Sequence, residues 1–152
     1  MQEIKPPTPL PPKSKIKQIF LAGSIEMGNA TNWQEEVLKS LESKRVIVLN
    51  PRRDHWDSSW EQSIDNPKFK EQVLWEINGL EQSDIIVLYF DPATKSPISL
   101  LELGLFARNK KVIVSCPKGF WRKGNVEIVC EKFNIPLFDS LEDLIKKLNS
   151  MV

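Results

Sequence analysis

DIIVLYFDPATKSPISLLELGLFARNKKVIVSC, residues 84–116, holds two apolar runs, Ile85–Phe90 and Val112–Val114, on either side of a helix-patterned segment. Strands this uniformly apolar are buried on both faces, which belongs to a parallel sheet covered by helices. Ser96 and Pro97 suit the start of the intervening helix, serine as N-cap and proline in the first turn. The same alternation extends in both directions. Upstream, IKQIFLAG (16–23) and RVIVLN (45–50) read as strands, and TNWQEEVLKSLES (31–43) as a helix with Trp33, Val37 and Leu41 on one face. After the polar loop PRRDHWDSSWEQSIDN (51–66), PKFKEQVLWEINGLEQ (67–82) reads as a helix with proline in its first turn. Downstream follow a helix around NVEIVCEKF (125–133), a short strand IPLF (135–138) and an amphipathic helix SLEDLIKKLNSMV (140–152).

Five strand–helix units predict an α/β domain with a doubly wound, five-stranded parallel sheet of flavodoxin-like order 2-1-3-4-5. In such sheets the ligand binds beyond the carboxyl ends of the strands, where the order reverses. Here that crevice falls between the strands ending at Gly23 and Phe90. A single domain is expected over residues 15–152. Residues 1–14 contain five of the eleven prolines and are expected to form a flexible arm outside the fold.

Lys plus Arg number 21 and Asp plus Glu 20, so no global field attracts nucleic acid or an acidic membrane. No apolar run approaches the ~20 residues of a membrane span. The N-terminus lacks the apolar stretch of a secretory signal, and a cytoplasmic protein is expected. Cys116 and Cys130 have no CxxC spacing and His55 is the single histidine, so buried free thiols are expected, with no metal and no cofactor.

Glu102 is the only charged residue among the twelve between Lys95 and Arg108. Ser99-Leu100-Leu101-Glu102 matches a capping box. A helix that starts at Ser96-Pro97 instead puts Glu102 one turn too deep to cap. An unpartnered buried carboxylate costs several kcal/mol, so protein or ligand must satisfy it. Glu76 shares a helix stripe with Phe69, Val73 and Leu80, at steps of four, three and four. It reads either as a rim residue paired with a basic side chain or as the second member of an acidic pair with raised or split pKa values. Gly23-Ser24 follows the first strand without a GxGxxG fingerprint. Asp91 ends the third strand. In the loop after the second, Trp56 offers a stacking surface and Asp54 and Asp57 offer hydrogen bonds to a nucleobase edge.

IFLAGSI (19–25), LWEINGLEQSDIIVLYF (74–90) and SPISLLELGLFARNKKVIV (96–114) resemble the nucleoside 2-deoxyribosyltransferase family, over about residues 17 to 126. NPRRDHWDSSW (50–60) resembles the transferase-like branch of that family. The resemblance implies a flavodoxin-like fold and cleavage of the N-glycosidic bond of deoxynucleosides. It makes Glu102 the nucleophile on the anomeric carbon and Glu76 a supporting acid. It implies a homo-oligomer, dimer-based and up to a tetramer or hexamer, in which Asn125 reaches the sugar 5′-hydroxyl of a neighbouring subunit. Substrates would be deoxynucleosides and free nucleobases, and Gly23, Ser24 and Asp91 would line the substrate crevice. Two positions depart from the pattern. Phe20 replaces the tyrosine that steadies the nucleophile. Ser96 replaces an aspartate, and in related deoxynucleotide hydrolases a serine there contacts a 5′-phosphate. Hydrolysis of a nucleoside or its monophosphate, and a silent nucleotide-binding domain, therefore stay open beside base exchange.

Overall fold

The computed structural model describes residues 1–25, 31–53 and 59–152. Its strands are β1 (Gln2–Ile4), β2 (Lys17–Gly23), β3 (Val46–Leu49), β4 (Ile85–Tyr89), β5 (Val112–Ser115) and β6 (Leu137–Phe138). Its helices are α1 (Trp33–Ser40), α2 (Pro67–Gln82), α3 (Pro97–Phe106), α4 (Lys123–Phe133) and α5 (Leu141–Met151). The sheet runs β1-β3-β2-β4-β5-β6, with every pair parallel. From β3 to β6 this is the predicted order 2-1-3-4-5, and the order reverses between β2 and β4.

Strand alternation splits the core in two. On one face Ile19, Leu21, Val48 and Val87 pack with Trp33 and Val37 from α1, with Leu41 at its C-cap, and with Leu144 and Leu148 from α5. On the other, Phe20, Leu49, Ile86 and Leu88 pack with Trp75 and Leu80 of α2, Leu103 of α3, and Val126 and Cys130 of α4. The central strands are therefore apolar on both faces, as β4 shows with four buried residues in its five.

Gly79 lets α2 lie close on the sheet. A Cβ at that position would stand 2.7 Å from a ring carbon of the fully buried Phe20. Gly23 ends β2 at φ 127°, and a Cβ there would meet the Tyr89 carbonyl oxygen at 2.3 Å. Only glycine allows β2 to stay this close to β4 where the crevice opens.

The N-terminal segment corrects the expectation of a flexible arm. Gln2–Ile4 precede the first proline, retain their N–H groups, and add a sixth strand along β3. Prolines further on lack donors but keep their carbonyls. Trp75 Nε1 donates to the Thr8 carbonyl at 2.8 Å, Gln82 Nε2 to Pro11 at 3.1 Å and Gln18 Nε2 to Pro12 at 3.1 Å. The arm is thereby strapped to α2 and β2.

Among the described residues no helix is long and apolar enough to cross a membrane. Cys116 and Cys130 are buried free thiols, and burial pushes them up to about 11 and about 12.

Candidate active site

The carboxyl ends of β2 and β4 meet the start of α3 in a knot of hydroxyls. Ser24 Oγ lies 2.6 Å from Ser96 Oγ and 2.9 Å from Thr94 Oγ1, and the last two are 2.7 Å apart. The Asp91 amide donates to Ser24 Oγ at 2.8 Å. Ser96 is the N-cap residue and Pro97 opens the helix, but the serine does not cap with its side chain. Its backbone is left-handed at φ 45°, which turns the hydroxyl inward to Ser24 and Thr94. A non-glycine residue in that region is strained, and the buried hydroxyl contacts hold it there.

Since α3 starts at Pro97, Glu102 lies in its second turn, beyond the reach of an N-terminal capping role. It is half-buried on a helix whose Leu103 and Phe106 face the core. Burial, reinforced by the charge of Glu76, pushes its carboxyl up to about 8. Glu76 is half-buried on α2, and burial pushes it up to about 7 against the opposing effects of a Gln72 hydrogen bond and the Arg53 charge. The two helices thus bring both sequence-predicted carboxylates into one electrostatic unit. Around neutrality such a pair retains at least one proton, and its apparent pKa values belong to the pair. Of the stripe used to single out Glu76, Leu80 is buried while Phe69 and Val73 are half-buried, so the acid sits at the margin of the core.

Asp91 is buried but already satisfied. Burial would raise its pKa, yet donations from Ala93 N, Thr31 N and Thr31 Oγ1 outweigh this and hold it below the ordinary value. It ties the end of β4 to the segment entering α1. Ser24 serves the same junction, its carbonyl accepting from Trp33 Nε1 at 2.9 Å. Asn125 lies elsewhere, exposed on α4 along a groove of about 320 Å³ shared with Leu100, Leu103 and Gly104 of α3. Within one chain Asn125 therefore faces the α4 side of α3, whereas Glu102 couples to α2. Asp54, Trp56 and Asp57 lie outside the described residues.

Three further residues complete this edge. Gln72 precedes Glu76 by one helical turn and donates to it at 2.6 Å. Arg53 donates through Nε to Gln72 Oε1 at 2.6 Å and stacks 5.1 Å from the Trp60 ring centre. Thr94 completes the hydroxyl knot. The i, i+4 spacing of Gln72 and Glu76 is the one clue that could have flagged the first.

The family model for nucleoside 2-deoxyribosyltransferase-like proteins matches residues 16–120, more than half of the chain. The chain belongs to the nucleoside 2-deoxyribosyltransferase-like family. A conserved protein from Enterococcus faecalis V583, known from its crystal structure, shares the fold. The TM-score is 0.62 at 16% identity, over 90% of this chain and 99% of that one. No match is found among functionally curated proteins. The match to the family model spans Glu76, Glu102 and the Ser24–Ser96 knot and stops short of Asn125.

Proposed function

We propose that this member of the family exchanges nucleobases on 2-deoxyribose, through a covalent intermediate on Glu102. The observation that carries the reading is the Glu76–Glu102 pair. Two carboxylates on adjacent helices share a partly buried site, and Glu102 gains no compensating hydrogen bond from the described residues. Left without function, such an arrangement is a net cost to the fold.

The pair divides the chemistry. Burial raises Glu102 to about 8 and Glu76 to about 7, so the reactive form, with Glu102 ionised and the proton on Glu76, is the less populated of the two singly protonated arrangements. In that form Glu102 attacks the anomeric carbon as the C–N bond breaks, and the departing base takes the bonding electrons together with the proton held on Glu76. An oxocarbenium-like transition state gains from the adjacent negative charge. In the second half a free base attacks the same carbon, the ester C–O bond breaks, Glu102 is released as carboxylate, and the incoming base returns its proton to Glu76. Two inversions give net retention.

Deoxynucleosides and free nucleobases suit this crevice better than monophosphates. The Ser96 hydroxyl is buried against Ser24 and Thr94, and Arg53 is engaged by Gln72 and Trp60. Neither resembles a free cradle for a dianion. The base falls to the loop carrying Asp54, Trp56 and Asp57. A homo-oligomer in which Asn125 serves a neighbouring site is supported by apolar side chains exposed along three helices of one sheet face: Leu74 and Ile77 on α2, Ile98, Leu101 and Leu105 on α3, and Ile128 on α4. The proposed setting is the cytoplasm.

Incubation with a deoxynucleoside, with and without a second free base, tests the reading by chromatography of the products. A new deoxynucleoside is the expected result. Free base and deoxyribose alone would establish hydrolysis, and unchanged substrate would establish a binding domain.

A further inference from the structure

Gln72 is buried on α2, and all its amide contacts converge on the site. Its Nε2 donates to Glu76 Oε1 at 2.6 Å and to the Pro51 carbonyl at 3.4 Å, while its Oε1 accepts from Arg53 Nε at 2.6 Å. A guanidinium has donors only, so the amide has one workable orientation: oxygen toward Arg53, nitrogen toward Glu76. Glu76 Oε1 must then act as an acceptor whether or not the group is protonated. In the neutral acid the proton is left to Oε2.

We propose that Gln72 is a positioning residue, which presents Glu76 with Oε1 engaged and Oε2 free to exchange a proton, and that Arg53 in turn fixes Gln72. The proton's destination, a departing or entering base, rests on the deoxyribosyl-transfer reading above; the three-residue chain itself does not. The chain also links the site to the segment after β3, because Arg53 stacks on Trp60 in the loop expected to carry the base. Among the described residues the groups facing Glu76 are Gln72 from its own helix, Arg53 from that segment and Glu102 from α3. The first two favour the carboxylate. Without the amide donor, Glu76 holds its proton more tightly.

The test is a carbon-13 carboxyl titration of Glu76 in the unliganded protein, assigned with Glu76→Gln and combined with pH–rate profiles of base exchange. Gln72→Met keeps the size of the side chain and removes its N–H groups. Its Glu76 midpoint is expected to rise by about one unit. Base exchange should lose about tenfold in kcat with KM nearly unchanged, and the alkaline limb of the rate profile, which reports loss of the Glu76 proton, should move up with the titration. Arg53→Met should shift the same midpoint upward, and it carries the test if Gln72→Met fails to fold. An unmoved midpoint in a folded Gln72→Met overturns the proposal, as does an unmoved midpoint in Arg53→Met. If the wild type exchanges no bases but the midpoints shift as stated, the transfer reading fails while the Gln72 clamp on Glu76 stands.

Discussion

Ser96 Oγ lies 2.6 Å from Ser24 Oγ, joining the start of α3 to the end of β2 through two buried side chains. This contact bears on what the crevice accepts. A serine occupied in holding a strained helix start is poorly placed to serve a phosphate. Deoxyadenosine should therefore be processed at least tenfold more efficiently than its 5′-monophosphate. Ser96→Ala should lower stability by about 1–2 kcal/mol without changing that ratio. A preference for the monophosphate, lost in Ser96→Ala, would instead assign the serine to the substrate.

The paired carboxylates predict a pH dependence of opposite sign to that of a salt-bridged acid. Glu102 is raised from the ordinary 4.5 to about 8, so its proton is bound more tightly in the folded state. Its contribution is fully favourable below about pH 4.5, where both states are protonated. It is lost as pH rises toward 8, because the unfolded chain ionises first. Glu102→Gln should accordingly be more stable than the wild type at pH 9, by about 1–3 kcal/mol, with the gap closing at pH 5. Denaturant melts at the two pH values check this. An equal or lower stability of the variant at pH 9 would contradict the buried, uncompensated state of Glu102.

Activity should follow the same pair. With both groups protonated Glu102 is no nucleophile, and with both ionised no proton is available for the base. A bell-shaped profile with its maximum between about pH 7 and about pH 8 is expected for base exchange. A profile flat from pH 5 to 9 would remove the pair from the rate-determining chemistry.

Gly79 offers a test of how α2 is seated. Its missing Cβ makes room for Phe20, which is fully buried and packs against Trp75 at 6.1 Å between ring centres. Gly79→Ala should cost about 1–3 kcal/mol despite the better helix propensity of alanine. Because Glu76 is on the same helix, activity should fall along with stability. A neutral or stabilising effect in thermal melts would show that α2 can retreat freely from the sheet.

Much of the fold was legible because a parallel sheet covered on both faces imposes an unmistakable pattern, as in Ile85–Phe90 and Val112–Val114. The N-terminal strand was not, since the prolines dominate the reading of residues 1–14 and obscure three ordinary residues ahead of them. For the site, Glu76 and Glu102 stood out because acids are costly on apolar helix faces. Ser96 revealed the helix boundary but not its left-handed backbone, which depends on Ser24 and Thr94, the former 72 positions away. Gln72 was hidden because an amide is unremarkable on a helix until its partners are known. Those partners, Arg53 and Glu76, are fixed by tertiary packing.

The central claim is that Glu102 becomes covalently glycosylated, and the most direct measurement is base exchange by Glu102→Gln. Transfer of deoxyribose from a deoxynucleoside to an isotopically labelled free base should fall by roughly 10³-fold or more relative to the wild type, with the fold intact by circular dichroism. Label incorporation at a rate near that of the wild type would contradict the account, because an amide of the same shape cannot form the glycosyl ester.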